Sequence, residues 1–225
     1  MPTPPPPPSS DAQQLIRVDA APLTAASAWR LERVELRLVR DPVRTRRVVR
    51  LLPPSLARDV LDDVLARREL ERLTPPRPRS AFRLGRPAPA ARLRAWYGEA
   101  QRRSGIPWQL LAAINFVESR FGRVREASVA GAQGPMQFMP SSWAEYGRGD
   151  VHDPHAAILG AARFLRAAGA PGDERAALYR YNPSRAYVDA VERLAGRIRR
   201  APRAFRLYYL EPLVVRTPQG YARLP

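Results

Sequence analysis

Residues 107–122 read PWQLLAAINFVESRFG. Leu110, Leu111, Ile114, Val117 and Phe121 recur at intervals that place side chains on one face of an α-helix. Pro107 suits the first turn, where its missing N–H costs nothing, and Gly122 suits the stop. The spacing predicts a helix over 107–121. Glu118 lies four residues after Ile114 and seven after Leu111, at the edge of the apolar stripe. It also falls in the last turn, where the helix dipole disfavours negative charge. Both effects raise a carboxyl pKa above its reference of ~4.3. A Glu held protonated near neutral pH is what a general acid requires. The plain alternative is a terminal Glu paired with Arg120 or Arg125, and this helix alone does not decide between them.

Working outward, residues 92–200 carry the clearest helical pattern, and they define an expected catalytic domain. Leu93, Trp96 and Tyr97 mark a helix from about 91 to 104. Gly131 and Gly134 break the pattern between 123 and 134. A short helix is expected at 141–146. Asp153-Pro154 reads as an N-cap and first helical residue, with Ile158, Ala161, Ala162 and Leu165 on the buried face. A short helix follows at 173–181. Another spans 184–200, with Tyr187, Val188, Val191, Leu194 and Ile198 at core positions.

The flanks differ. Residues 1–12 read as a disordered Pro-rich arm, with Pro4 to Pro8 favouring polyproline II. The opening MPTPPPPPSS lacks the basic leader and apolar core of a signal peptide. Residues 13–73 read as a helical N-terminal module. Its segment Leu31–Leu38 is ambiguous between helix and strand, whereas Leu56, Val60, Val64 and Leu65 follow Pro53-Pro54 at helical spacing, with Ser55 as expected N-cap. Residues 74–91 are dense in Pro and read as a linker or a surface-hugging crossover. Residues 201–225, with FRLYYL and LVVRT, predict an extended strap or two short strands. The expected fold class is all-α, with an N-terminal helical module and a short C-terminal extended or β segment.

The chain has 225 residues, 45% of them hydrophobic, which suffices for one or two cored domains. Its formal charge is +17, and all 38 basic residues are Arg. An Arg-only, Ala- and Pro-rich chain reads as codon bias rather than selection for nucleic acid, and no nucleic-acid-reading motif is present. Such a surface nonetheless attracts polyanions. There is no Cys, which excludes disulfides, thiolate chemistry and Cys-based zinc sites. No stretch approaches the ~20 apolar residues of a membrane span. His152 and His155 flank the helix start Asp153-Pro154 without further ligands nearby, so no metal site is expected.

Three further segments follow Glu118 in order. Glu118-Ser119 is succeeded by SVAGAQGPMQFMPSSW (128–143) and then by YRYNPSRAYVDAV (179–191). Together they resemble the catalytic domain of soluble lytic transglycosylases and goose-type lysozymes over about residues 92–200. That family shows a Glu-Ser pair, a Gly-Leu-Met-Gln segment and an Ala-Tyr-Asn segment. The resemblance implies a lysozyme-like fold with Glu118 as catalytic acid/base. It implies substrate-binding roles for Ser119, Ser128, Met136, Gln137, Met139, Tyr181 and Asn182, with Tyr181 bonding near the Glu and Asn182 holding substrate. Ser119 is also expected to shape the helix end. On residue type alone, Met136, Met139 and Tyr181 serve equally as core packing, and Trp143 and Tyr146 pack under a cleft or stack on sugars. Two positions depart from the pattern: Pro135 replaces Leu and removes a backbone donor, and Arg180 replaces Ala.

Most glycosidases use two carboxylates. Glu126, Glu145, Asp150 and Asp153 all follow Glu118, but no spacing marks one as a partner. The resemblance implies a substrate-assisted transglycosylase that needs one Glu, acts on peptidoglycan glycan strands without a cofactor, and yields 1,6-anhydromuramoyl ends. It implies a secreted or cell-envelope location, where anionic wall polymers would meet the basic surface. A lysozyme-type muramidase and a catalytically inactive peptidoglycan-binding module remain open alternatives.

Overall fold

The computed structural model describes residues 7–225. Residues 1–6 of the expected arm lie outside the described residues. The fold is all-α, with a central helical region, an N-terminal helical module and one short hairpin at the C-terminal end. Among the described residues no helix is long and apolar enough to cross a membrane.

The N-terminal module consists of α1 (Pro8–Ala20), α2 (Ala25–Arg40), α3 (Pro42–Val49) and α4 (Pro54–Leu73). Residues 8–12 therefore belong to a helix rather than to an extended arm. Pro8 occupies the first turn, where proline is tolerated. Asp11 is fully buried and anchors the helix by accepting from Arg37 and Arg44. The ambiguous segment at Leu31–Leu38 is helical. Thr24 caps α2 by a reciprocal bond with Ser27, and Leu31, Val34 and Leu38 face the core. Ser55 is not the cap of α4; Pro53 takes that position and Pro54 begins the helix.

Residues 74–89 form a mostly irregular crossover, with one 3-10 turn at Arg79–Ala81. It leads to α5 (Ala90–Ser104), α6 (Trp108–Ser119), α7 (Pro140–Tyr146), α8 (Pro154–Ala167), α9 (Glu174–Tyr181) and α10 (Arg185–Arg200). Asp153 caps α8 as the sequence predicts, and Ser184 caps α10.

The C-terminal expectation needs correction. FRLYYL lies in a helix, α11 (Arg203–Leu210), and only β1 (Val214–Thr217) and β2 (Gly220–Arg223) are strands, paired antiparallel. Aromatic content favoured a strand, but Ala204, Phe205 and Tyr208 are spaced for one helical face. That face packs on α6: Phe205 meets Phe121 edge-on and Tyr208 stacks on Phe116 at 4.8 Å.

Two apolar cores result. One lies within the N-terminal module, and the other surrounds α6. Helix α4 serves both, with Val60 and Val64 in the first and Ala66 in the second. Leu207 of α11 enters the first core, whereas Phe205 and Tyr208 enter the second. The crossover at 74–89 thus runs between two regions whose cores share α4 and α11. Helix α4 lies along α10, where Arg193 meets Asp62 at 3.1 Å, Arg200 meets Asp62 at 2.6 Å and Arg197 pairs with Asp63.

Candidate active site

Helix α6 is wholly buried from Leu110 to Phe116, so burial of apolar area is the main force that holds it inside. Its end is unusual. Arg120, Phe121 and Gly122 all adopt positive φ, at 51°, 63° and 81°. Left-handed backbone at non-glycine residues is uncommon and persists only where the surroundings impose it. Here the cause is visible. Ser119 is buried; its hydroxyl donates to the Pro135 carbonyl at 2.6 Å and accepts from the Gly122 N–H at 2.8 Å. The helix end and the segment at 134–137 are clamped to one atom.

That segment is a tight turn. The Gln133 and Phe138 main chains pair across it, and Gln137 has φ 50°. Gly134 is required: at φ 71°, an added Cβ would meet the Val151 carbonyl oxygen at 2.1 Å. Asn115 donates to the same Pro135 carbonyl at 2.8 Å and accepts from the Tyr97 hydroxyl at 2.7 Å. Tyr181 donates to the Met136 carbonyl at 2.6 Å. Three buried or half-buried polar side chains therefore hold this turn against α6.

Glu118 is half-buried, and the Tyr187 hydroxyl donates to its Oε1 at 2.7 Å. Among the described residues no cation pairs with it. Desolvation pushes its pKa up to about 7, against the smaller opposing effect of the Tyr187 bond. Glu118 opens onto a cavity of about 480 Å³, a size typical of ligand sites.

Ser128, Gln137, Asn182 and Tyr187 line that same cavity. Four other expected substrate contacts do not. Ser119 and Met136 are inside the protein, at 1% and 0% exposure. Ser119 shapes the helix end, and the Met136 side chain fills the core. Tyr181 is committed to the Met136 carbonyl rather than to the Glu. Met139 is exposed at the start of α7, away from the cavity lining. Trp143 packs on Phe138 and Tyr146 on Phe164.

Sequence reading missed two residues. Tyr187 was assigned to the core, and it is buried, but its hydroxyl reaches the Glu. Its one signal was a position in the first turn of α10, facing inward beside the Tyr181-Asn182 pair. Asn115 was passed over, although it is the single polar residue inside LLAAINFV, and a buried amide on such a face demands partners.

Of the four candidate second carboxylates only Glu126 lines the cavity, and it is engaged: it accepts from the Arg83 N–H at 3.0 Å. Asp153 caps α8 and Asp150 accepts from the His152 N–H. His155 bonds Glu99 at 2.9 Å and stacks on Trp96. Elsewhere Glu32, Glu35 and Glu211 bring carboxylate oxygens within 4.8 Å of one another. Arg67 bonds Glu32 at 2.6 Å and Arg120 reaches Glu211 at 3.4 Å. These acids share their space with guanidinium groups, which supply the countercharge a cation would bring.

The domain is helical and lysozyme-like, and Glu118, with its pKa pushed up by burial, faces a cavity. Residues 96–200 match the family model of the transglycosylase SLT domain. The chain is 32% identical over 118 residues to the membrane-bound lytic murein transglycosylase F of Thiobacillus denitrificans, covering 49% of this chain and 25% of that relative. The chain thus spans about a quarter of the length of the curated relative it matches. No solved structure matches the chain at a significant level.

Proposed function

We propose that this chain is a peptidoglycan lytic transglycosylase with Glu118 as its acid/base. The observation that carries this reading is the carboxyl itself: desolvated, free of any cation, bonded to one neutral hydroxyl, and facing a cavity shared with Ser128, Gln137 and Asn182. Such a group holds its proton near neutrality and gives it up at small cost, as acid/base catalysis needs.

The reaction proceeds in two steps. Glu118 donates its proton to the oxygen that links N-acetylmuramic acid to N-acetylglucosamine. The C1–O bond breaks as the muramyl acetamido oxygen bonds to C1, the substrate-assisted variant of glycosidase chemistry. The C6 hydroxyl then attacks C1, displaces the acetamido oxygen and returns its proton to the Glu118 carboxylate. The product is a 1,6-anhydromuramoyl end, and no water is consumed. Ser128, Gln137 and Asn182 bind the sugar. Ser119, Asn115 and Tyr181 act behind them by fixing the turn at 134–137.

The substrate implies a cell-envelope location, and the formal charge of +17 supports contact with anionic wall polymers. Digestion of purified peptidoglycan with wild type and Glu118→Gln, read by product mass, tests the assignment. Anhydro ends from wild type and almost none from the variant are expected. Reducing ends would instead mark a hydrolase, and wall binding without muropeptide release a binding module.

A further inference from the structure

Helix α3 has two unlike faces. On the inner one Arg44, Thr45 and Val48 are buried. The Arg44 Nε donates to the buried Asp11 at 2.6 Å, and the Thr45 hydroxyl donates to the Leu38 carbonyl at 2.7 Å. These contacts fix the helix on α1 and α2. The outer face holds Val43, Arg46, Arg47 and Arg50, spaced so that they share one side of the helix. The chain keeps turning past the helix end, where the Leu51 N–H donates to the Val48 carbonyl at 2.9 Å, so Leu51 stands one turn beyond Arg47. All five residues are exposed, Val43 at 47% and Leu51 at 54%.

The charge on this face is uncompensated. Arg is frequent along the whole chain, so its number alone decides nothing; its partners do. On α9 and α10, Arg175 meets Asp189 at 2.7 Å and Arg199 meets Glu174 at 2.6 Å. On α3, no carboxylate among the described residues forms a salt bridge with Arg46, Arg47 or Arg50, and residues 42–58 contain no acid. The preceding Asp41 is occupied at the helix start, where it accepts from the Arg44 N–H at 2.8 Å. The following Asp59 binds Arg200 at 3.0 Å.

A soluble polyanion would engage the arginines but give Val43 and Leu51 nothing to be buried in. An anionic bilayer surface engages both. Its headgroups attract the guanidinium groups, and aliphatic side chains beside them reach the boundary with the acyl chains. The long Arg stems permit this, because the stem lies along apolar surface while the charged head stays among the headgroups. We propose that the outer face of α3, with Leu51, is a docking surface for a membrane that carries anionic lipid. The helix lies on such a surface rather than through it, since its 8 residues fall far short of the ~20 that a span needs. The patch lies outside residues 96–200, so the proposal is independent of the chemistry at Glu118.

Cosedimentation with lipid vesicles tests it. Wild type is expected to pellet with phosphatidylcholine vesicles that contain phosphatidylglycerol and to stay in solution with phosphatidylcholine alone. Each basic residue near an anionic surface is worth about fivefold in affinity, so Arg46→Gln, Arg47→Gln and Arg50→Gln combined should weaken binding on the order of 10²-fold. Val43→Ser with Leu51→Ser keeps every charge; it is expected to lose vesicle binding while retaining wild-type affinity for soluble polyglutamate. Because the chain has no Cys, Leu51→Cys takes a single polarity-sensitive dye. The dye's emission should move to the blue on anionic vesicles and stay in place with polyglutamate. No binding to anionic vesicles, or equal binding to both kinds, overturns the proposal. So does a triple Arg variant or a double Ser variant that binds vesicles as tightly as wild type. A dye that shifts no more on vesicles than on polyglutamate assigns the face to polyanions at large and overturns the lipid reading. Circular dichroism checks that the variants are folded; should either fail to fold, the labelled Leu51→Cys protein and the comparison of the two vesicle types decide.

Discussion

Two of the regions that bury carboxyl groups in this molecule are wired differently. At the end of α6, Glu118 faces a cavity and one tyrosine hydroxyl. In the interior beyond it, Glu32, Glu35 and Glu211 sit among Arg67, Arg120 and Arg197. Desolvation acts alike on both, lifting Glu118 and Glu35 each to about 7 and Glu211 to about 8. What differs is the opposing group. A guanidinium partner fixes a carboxylate in place, because neither charge can leave without stranding the other. A neutral hydroxyl makes no such demand. The first arrangement joins α2, α4, α6 and the segment after α11; the second leaves a proton free to move.

The largest effect that sharpens this contrast is on catalysis. Acid/base help is typically worth ~10²–10⁴-fold in rate, so Glu118→Gln is expected to lose about that much in muropeptide release while keeping its fold. The counterpart in the other region is Arg67→Met. It leaves Glu32 buried without its 2.6 Å partner, and breaking a buried pair in this way costs about 3–5 kcal/mol. Urea unfolding should show that loss. If Arg67→Met unfolded at the wild-type midpoint, the interior acids would not be the structural half of the comparison.

A third expectation concerns pH. Glu118 in the folded protein titrates near 7, against an ordinary value of 4.5. A raised carboxyl pKa means that the native state holds more protons than the unfolded chain between those values. Stability therefore falls as pH rises from about 4.5 to 7 and levels off above. The penalty corresponds to about 3 kcal/mol from this one group. Glu118→Gln escapes it. The variant should match wild type at pH 4 and exceed it by up to about 3 kcal/mol at pH 8. Equal stability at both pH values would mean that the Glu118 carboxyl is well solvated, and the contrast would fail at its functional end.

How far the sequence alone reached follows from which contacts are local. The helices of 92–200, the cap at Asp153 and the edge position of Glu118 all depend on residues within a few positions of one another, and the pattern reported them. The strand expected at FRLYYL failed because packing on α6, set by residues some ninety positions earlier, outweighed aromatic content. The site shows the same division. Glu118, Ser128, Gln137 and Asn182 fell on one cavity as their order suggested. Met136 and Ser119 turned inward because the turn at 134–137 is clamped by side chains from α6 and α9, a contact that no local pattern records. The rest of the cavity lining was illegible for the same reason: it draws on residues from 66–82 and 211–221, far apart in the chain.

The smallest effect expected is at Tyr187, and it tests the link between the two halves of the active site most finely. The Tyr187 hydroxyl donates to Glu118 at 2.7 Å, and such a bond favours the charged form of the carboxyl. It pulls the pKa down against the stronger push of burial. Tyr187→Phe keeps the buried ring and removes only the donor. The Glu118 pKa should then climb further, by roughly one unit if the bond is worth the ~1.5 kcal/mol at the low end for charged partners. The alkaline limb of the pH–rate profile should move upward by the same amount, since the acid stays protonated longer. Rate at the optimum should fall only modestly, about tenfold or less, because the proton donor itself remains. A purely structural tyrosine would lower the rate without moving the limb. A displaced limb with a near-normal rate would establish that the hydroxyl tunes the proton of Glu118 rather than holding α10 in place.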